Sequence, residues 1–465
     1  MSPAETDATR AGASAGQTEP GGRPGRMGPP ETAAPVLAAG YDGVLLDLDG
    51  TVYRGDEPIE GAAEAIAGLR AARVPFLFLT NNSARTPEQV VEKLGDVGIE
   101  ATAAEVLTSA QATGAMLRRE GSGGETAFVV GEEGVIRALE DAGIRVLEGH
   151  PERVDLVVVG WDRSADYAKL RRATLLAARG ARLVGTNPDP SYPAPDGPWP
   201  GAGALLALVR TASGVEPVVV GKPSRPMMEA AADRLGAARP LMVGDRLETD
   251  VAGAEAVGWD SALVLTGSSS LRDLVEAGGA PTYLLRDLRA LVAPAIPAAR
   301  LRAAESGDAL AVGALLRARG LEPGRVASRL AGTVVAPGTP GGEAVSSGRG
   351  GTGSRGEPAL LGTACVEDLG ADGMLRSVAV DASVEGCGIG SLVVAGALRA
   401  ARVRGVRRAF LFTDGAERFF TALGFSPVDP GGLPAPVRVA AEAAGCTHGA
   451  TPMCRELAAS AAPAG

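Results

Sequence analysis

Across residues 41–291 the chain alternates short apolar runs with Ala-, Leu- and Arg-rich stretches of helical period. A parallel α/β sheet with crossover helices is written this way in sequence. Four of the runs deliver polar residues at their C-terminal ends: residues 44–46 precede Asp47, 76–79 precede Thr80, 218–220 precede Gly221 and Lys222, and 241–243 precede Gly244 and Asp245. In an open parallel sheet the ligand crevice lies beyond the carboxyl ends of the strands. Four such strands side by side would therefore gather Asp47, Thr80, Lys222 and Asp245 into one site. The stretch between Thr80 and Lys222 is too long for a single crossover and has apolar runs of its own at residues 128–130 and 156–159. It predicts an inserted α/β cap over residues 108–200, between core segments 39–107 and 201–291.

The pattern changes after residue 291. A break at residues 292–298 predicts a linker, and residues 299–457 a final α+β domain. In it, residues 375–380 read as a strand, Glu385 to Gly390 as a glycine-rich turn, 391–404 as a helix, 409–413 as a strand and 416–423 as a helix. The Gly/Ser/Pro-rich residues 337–358 read as a long loop within this domain. Residues 1–38 and 458–465 show no apolar period and read as tails, the first disordered.

Composition narrows the class. A length of 465 residues with 45% hydrophobic content supports several cores. The net charge of −10 and the lack of a dense basic cluster argue against nucleic acid and anionic membranes as partners. No apolar run reaches the roughly 20 residues of a membrane span, and the N-terminus lacks a secretory apolar segment. The expected location is cytoplasmic and the expected partner a small molecule, with a homo-oligomer left open. The cysteines, Cys365, Cys387, Cys446 and Cys454, are too sparse for a disulfide framework. Cys446, His448 and Cys454 lack the paired spacing and fourth ligand of a zinc site, and read as incidental.

The first site has its own chemical logic. Residues i and i+2 of a strand share a face, so Asp47 and Asp49 point together, and Asp245 adds a third acid. Close carboxylates with no His or Cys beside them suit Mg²⁺. With charge neutralised, one carboxylate can attack phosphorus while its neighbour protonates the leaving group and later activates water. Gly50, Thr51, Thr80, Asn81 and Asn82 sit at strand-to-helix turns that offer hydroxyl and N–H groups to phosphate oxygens. Lys222 is one of only three lysines in the chain, with Lys93 and Lys169. A compact ammonium reaching phosphate and carboxylate explains its retention.

Taken together, Asp47-x-Asp49-Gly50-Thr51, Thr80-Asn81-Asn82, Gly221-Lys222-Pro223 and Gly244-Asp245 with Asp250 following resemble the haloacid dehalogenase superfamily over about residues 41–291. The long insert is similar to the cap of the subfamily that includes glycerol-phosphate, pyridoxal-phosphate and 4-nitrophenyl-phosphate phosphatases. The resemblance implies a Rossmann-like core with Asp47 as nucleophile and Asp49 as general acid/base. It implies Mg²⁺ held by Asp47, the Asp49 backbone carbonyl and Asp245, with Thr80 and Lys222 binding the phosphoryl group. Asp250 fits a role holding metal ligands or Lys222. Thr186-Asn187-Pro188-Asp189 resembles the substrate-facing cap segment, which makes Asn187 and Asp189 substrate-binding candidates.

The last domain resembles the GNAT N-acetyltransferases over about residues 299–457. That implies acetyl-CoA as ligand, its pyrophosphate on Gly386, Gly388 and Gly390 and its pantetheine arm along Val378 and Val380. Two departures stand out: Glu385 where the family usually has Arg or Gln, and Phe420 where a Tyr often serves as general acid. The domain is thus expected to be degenerate or regulatory. An acetyltransferase as the main activity, or an acyl-CoA sensor acting on the phosphatase, remain alternatives. A capped phosphatase fused to such a domain looks like the glycerol 3-phosphate phosphatases, which makes glycerol 3-phosphate the favoured substrate.

Overall fold

The computed structural model describes residues 36–338, 360–445 and 449–457, apart from Pro195, Gly278, Ala295, Pro297 and Arg325. Most of the expected N-terminal tail, the C-terminal tail, most of the glycine-rich loop at 337–358, and Cys446 and His448 lie outside them. Val36 and Leu37, placed in the tail by their sequence, are instead tied down. Val36 bridges Pro294, the Leu37 N–H donates to the Ala293 carbonyl at 3.2 Å, and Leu37 is buried.

The first sheet is six-stranded and wholly parallel, in the order Tyr283–Leu285, Ser261–Val264, Leu241–Gly244, Val44–Leu46, Phe76–Thr80 and Val106–Thr108. Its strands are continuously apolar because helices cover both faces. The strand period of two splits their side chains between two cores. Val44, Leu46, Phe76 and Phe78 face one cluster, and Leu45, Leu77 and Leu79 the other. The central position of Val44–Leu46 puts the following residue, Asp47, at the middle of the sheet's carboxyl edge.

A second parallel sheet runs Val218–Val219, Arg182–Gly185, Leu156–Val159, Thr126–Val130 and Arg145–Val146. Here the structure corrects the sequence reading. The 218–220 run does not join the core strands; Val218–Val219 is an edge strand of the inserted sheet, and helix Ala202–Ser213 packs with that sheet as well. Three strands, not four, stand side by side beneath the crevice, and Lys222 arrives from the inserted sheet. A short apolar run signals burial without saying in which sheet.

The third sheet is mixed and seven-stranded: Arg302–Ala303, Thr333–Pro337, Leu360–Leu369, Asp372–Val380, Arg408–Thr413, Thr451–Glu456 and Ser426–Pro427. Helix Ile389–Val403 covers it and also packs on helix Leu271–Glu276 of the first unit. One apolar cluster joins the two: Leu247, Val251, Leu263, Leu274 and Leu284 from the core meet Leu392, Val393, Phe420 and Phe425. No helix among the described residues is long and apolar enough to cross a membrane.

Candidate active site

The carboxyl edge of the first sheet carries a buried charge cluster. Asp47 is 6% exposed, Lys222 2%, Asp245 0% and Asp250 1%. Lys222 Nζ donates to Asp47 Oδ1 at 2.6 Å, to Asp250 Oδ1 at 2.7 Å and to the Leu79 carbonyl at 3.3 Å, which uses all three of its protons. Asp250 is fully engaged, its other oxygen accepting from the Arg246 N–H at 3.0 Å. Asp245 differs. One oxygen accepts from the Ser268 N–H at 2.5 Å, and Oδ1 is buried with no partner.

An orphaned buried carboxylate oxygen is costly unless something cationic meets it. Asp47, Asp245 and Asp250 bring oxygens within 4.8 Å of one another. Burial, with Asp250 beside them, pushes Asp47 well above the usual carboxylate range and raises Asp245 too; Lys222 opposes the shift. Burial alone would lower Lys222, but Asp250 and Asp47 outweigh it and raise its pKa. Three carboxylates facing one ammonium leave an excess of negative charge, and the hard oxygen set fits a magnesium-like ion. Asp250 is the poorest ligand of the three, since its two oxygens are already taken.

Glycines make room for these acids. A Cβ on Gly50, whose φ is +84°, would lie 2.4 Å from Asp245 Oδ2; one on Gly267 would lie 1.9 Å from the same atom; one on Gly244 would lie 2.1 Å from Asp250 Oδ2. Asp49 lies half-buried on the same cavity, and burial raises its carboxyl above its ordinary value. Thr51 is buried with its hydroxyl unpartnered. Thr80 Oγ1 accepts from the Asn82 N–H at 3.1 Å, and Asn82 Oδ1 from the Ala84 N–H at 3.0 Å, shaping the turn that follows the strand.

Asn81 and Asn187 lie at the cavity, but their side chains are spent on the protein. Asn81 accepts from the Lys222 N–H at 2.8 Å and donates to the Lys222 carbonyl at 3.0 Å and to Asp189 Oδ2 at 3.1 Å. Asn187 donates to the Asn81 carbonyl at 2.6 Å and accepts from the Asp189 N–H at 3.1 Å. Both stitch the inserted sheet to the core instead of being free for a ligand. Asp189, a carboxylate of the insert, also lines the cavity, 3.8 Å from Arg246.

Above the acids a cavity of about 1040 Å³ opens between core and cap. Its wall includes Arg54, Trp161, Tyr192, Arg246, Glu248 and Asp273, none of them singled out by motif. Trp161 and Tyr192 stack with ring centroids 4.2 Å apart. Arg246 follows directly on Asp245, and Trp161 and Tyr192 belong to a chain with only three tryptophans and five tyrosines. Those were the signals available.

Models of known families match this architecture piecewise. Residues 44–145 match the haloacid dehalogenase-like hydrolases, 219–291 a second model of HAD-like hydrolases, and 351–425 the GNAT acetyltransferases. The acid sugar phosphatase of Staphylococcus epidermidis is 40% identical over 255 residues, spanning 54% of this chain and 97% of that relative. The chain belongs to the haloacid dehalogenase-like hydrolases. It is a phosphatase of that superfamily, with a GNAT-type α+β domain at its C-terminus. This hydrolase is also similar, over 84% of its own chain and 98% of the other, to the glycerol phosphate phosphatase of Mycobacterium tuberculosis in complex with magnesium, at 29% identity and a TM-score of 0.61. The p-nitrophenyl phosphatase of Archaeoglobus fulgidus matches 54% of the chain and 98% of its own at 33% identity, with a TM-score of 0.51.

The C-terminal domain offers a second candidate site. Strand Asp372–Val380 pairs in parallel with Arg408–Thr413 only from Asp372↔Arg408 to Met374↔Phe410. The edge bearing Val378 and Val380 is therefore free of that neighbour. In the glycine turn, Gly386 and Gly388 adopt φ of +78° and +79°, and a Cβ on Gly388 would meet Leu284 of the core sheet at 2.8 Å. That glycine serves packing between the two units, a purpose its sequence motif does not announce. The Glu385 carboxylate is ion-paired with Arg319. Phe420 is buried edge-on between Phe419 and Phe425, with centroids 5.0 and 5.9 Å away. Cys454 lies in strand Thr451–Glu456, its thiol pushed up to about 11 by burial.

Proposed function

We propose that the hydrolase cleaves phosphomonoesters of small metabolites through an aspartyl-phosphate on Asp47, with glycerol 3-phosphate as the favoured substrate. The observation that carries this reading is the buried Asp47–Lys222–Asp250 ion cluster with the unpartnered Asp245 oxygen beside it, at the floor of a cavity large enough for a small ester. Lys222 holds one oxygen of Asp47, leaving the other for phosphorus. Attack forms the Asp47 O–P bond and breaks the ester P–O bond, and Asp49, whose carboxyl burial raises above its ordinary value, protonates the departing alkoxide. Asp49 then takes a proton from water, whose oxygen displaces the Asp47 carboxylate and releases inorganic phosphate. Asp47, Asp245 and the Asp49 carbonyl would hold magnesium, which supplies charge neutralisation between nucleophile and substrate when bound. Thr51 and Thr80 would receive the phosphoryl oxygens, with the Lys222 ammonium supplying positive charge beside them and able to exchange its long 3.3 Å bond to the Leu79 carbonyl for a phosphoryl oxygen. Asp189 and Arg246, with the Trp161–Tyr192 wall, would meet the leaving group.

Glycerol 3-phosphate is favoured because a structure similar over 84% of this chain, well beyond the core and insert alone, is named a glycerol phosphate phosphatase. Sugar phosphates are the competing class, through the relative matched over the core. Free thiols at Cys365, Cys387 and Cys454 suit the reducing cytoplasm. The C-terminal domain keeps an open edge at Val378 and Val380 for an acyl-CoA arm, but Phe420 has no proton to give and Glu385 opposes a diphosphate, so acetyl transfer is not expected.

Phosphate release from a panel of glycerol, sugar and nucleoside monophosphates, with Mg²⁺ or EDTA, tests the core of this reading. Asp47→Asn should lose at least about a thousandfold in turnover, and EDTA should abolish it. Asp47→Asn activity equal to wild type would refute it. Thiol release from acetyl-CoA with amine acceptors should stay at background; turnover there would move the main activity to the C-terminal domain.

A further inference from the structure

The segment that cradles Asp245 is built from the phosphatase core but held from the C-terminal domain. Residues 266–269 touch the acid from several directions. The Ser268 N–H donates to Asp245 Oδ2 at 2.5 Å, the Ser269 N–H to the Asp245 carbonyl at 3.1 Å, and Gly267 lies against the carboxylate. Ser269 Oγ accepts from the Leu247 N–H at 3.1 Å, and Thr266 Oγ1 donates to the Gly50 carbonyl at 2.8 Å. These contacts fix which way Asp245 Oδ1, the orphaned oxygen, faces.

The same segment runs without a break into helix Leu271–Glu276, capped by Ser270. That helix is too short to stand alone. It is gripped by two arginines of the C-terminal domain. Arg455 is buried; its Nη2 donates to the Arg272 carbonyl at 3.0 Å and to Glu276 Oε1 at 3.0 Å, while its Nη1 donates to the Leu423 carbonyl of its own domain. Arg402, on helix Ile389–Val403, donates to the Glu276 carbonyl at 3.2 Å. Leu274 and Val275 on the short helix enter the apolar cluster that includes Leu392 and Val393.

We propose that the C-terminal domain acts on the phosphatase as a brace: Arg455 and Arg402 are positioning residues that hold helix Leu271–Glu276, and through the 266–269 segment they orient Asp245 toward the cation. The proposal rests on the reading of Asp245 as a metal ligand. It assigns the domain a role in the phosphatase reaction that needs no acetyl-CoA, and it supplies a route by which anything that shifts helix Ile389–Val403 would change cation affinity at the catalytic centre. Metal ligands lose affinity when the groups that orient them are removed, commonly by about tenfold or more. Arg455 acts one step further out, so the low end of that range is expected.

The test measures Mg²⁺ affinity by titration calorimetry, and amide exchange at Ser268 and Ser269, in the full chain. The variants are Arg455→Met, the pair Glu276→Gln/Arg402→Met, and Asp245→Asn. Arg455→Met should weaken Mg²⁺ binding about tenfold and speed exchange at Ser268 and Ser269, with kcat recovered at saturating Mg²⁺. Loss of fold alone would not restore kcat at high metal. The pair, at partly exposed positions, should show a several-fold effect of the same kind, and it decides the matter if Arg455→Met does not fold. Wild-type Mg²⁺ affinity and exchange in whichever of these folds overturns the brace. If Asp245→Asn loses Mg²⁺ while the brace variants keep it, the metal reading stands and the brace falls. If Asp245→Asn binds Mg²⁺ like wild type, the metal reading fails and takes the brace with it.

Discussion

At the scale of single residues, the site is an arrangement of acids that is unfavourable without a counter-charge. Asp47 and Asp245 titrate above the ordinary carboxylate value because they are buried near Asp250. Above that value the metal-free folded state keeps protons the unfolded chain has released, so their contribution to stability falls as pH rises. Lys222, with its raised pKa, contributes stability that is lost only as pH climbs above the usual lysine range. The rise in melting temperature on adding Mg²⁺ should therefore be larger at about pH 8 than at about pH 5, and Asp47→Asn should flatten that difference in a thermal-shift assay. Gly267→Ala would drive a methyl to 1.9 Å from Asp245 Oδ2. It should raise the Mg²⁺ concentration needed for half-maximal activity while leaving the far-UV circular dichroism unchanged. Asp47, Lys222 and Asp245 could be placed together from the sequence because each comes within two residues of the end of an apolar run, and Asp49 because it lies two residues beyond Asp47. Trp161 and Tyr192 were not, because only the packing of the inserted unit against the core brings them to the cavity over the acids, and Arg246 was not because, beyond its place after Asp245, nothing in its local pattern marks it apart from the chain's many other arginines.

At the scale of elements, the strands were legible and one partnership was not. The alternation of Leu45 against Val44 and Leu46 writes a two-faced buried strand, and the structure divides these side chains between two cores. The run at residues 218–220 reads the same way, yet it pairs Val218↔Val184 and Val219↔Gly185 in the inserted sheet. Two or three valines specify burial, and the pairing is decided by chain segments far away. Asn187 gives the related lesson for side chains. The resemblance of residues 186–189 to a substrate-facing cap segment suggested a ligand contact, and the Asn187 amide is consumed by the Asn81 carbonyl and the Asp189 N–H. Asn187→Ala should thus cost about 1–3 kcal/mol in denaturant unfolding and change kcat/KM less than Asp189→Ala does.

At the scale of the whole molecule, the inserted sheet and a separate C-terminal domain follow from composition breaks and run spacing, but the seam between core and C-terminal domain does not. Leu274 and Leu284 look like any other apolar positions, and the cluster that joins them to Leu392 and Val393 exists only in three dimensions. Leu274→Ala, at a fully buried position, should cost about 2–5 kcal/mol. Its melt should stay a single transition, with phosphatase activity and C-terminal near-UV signal lost together; two separated transitions would show the seam to be weak. The delivery of Lys222 by the edge of the inserted sheet has a consequence in time. During synthesis Asp47 emerges early and its ammonium partner Lys222 much later, after the whole insert. A ribosome-bound chain therefore carries Asp47 without its counter-charge until the inserted sheet has been made, so the buried Asp47–Lys222 pair is among the last polar contacts of the core to form.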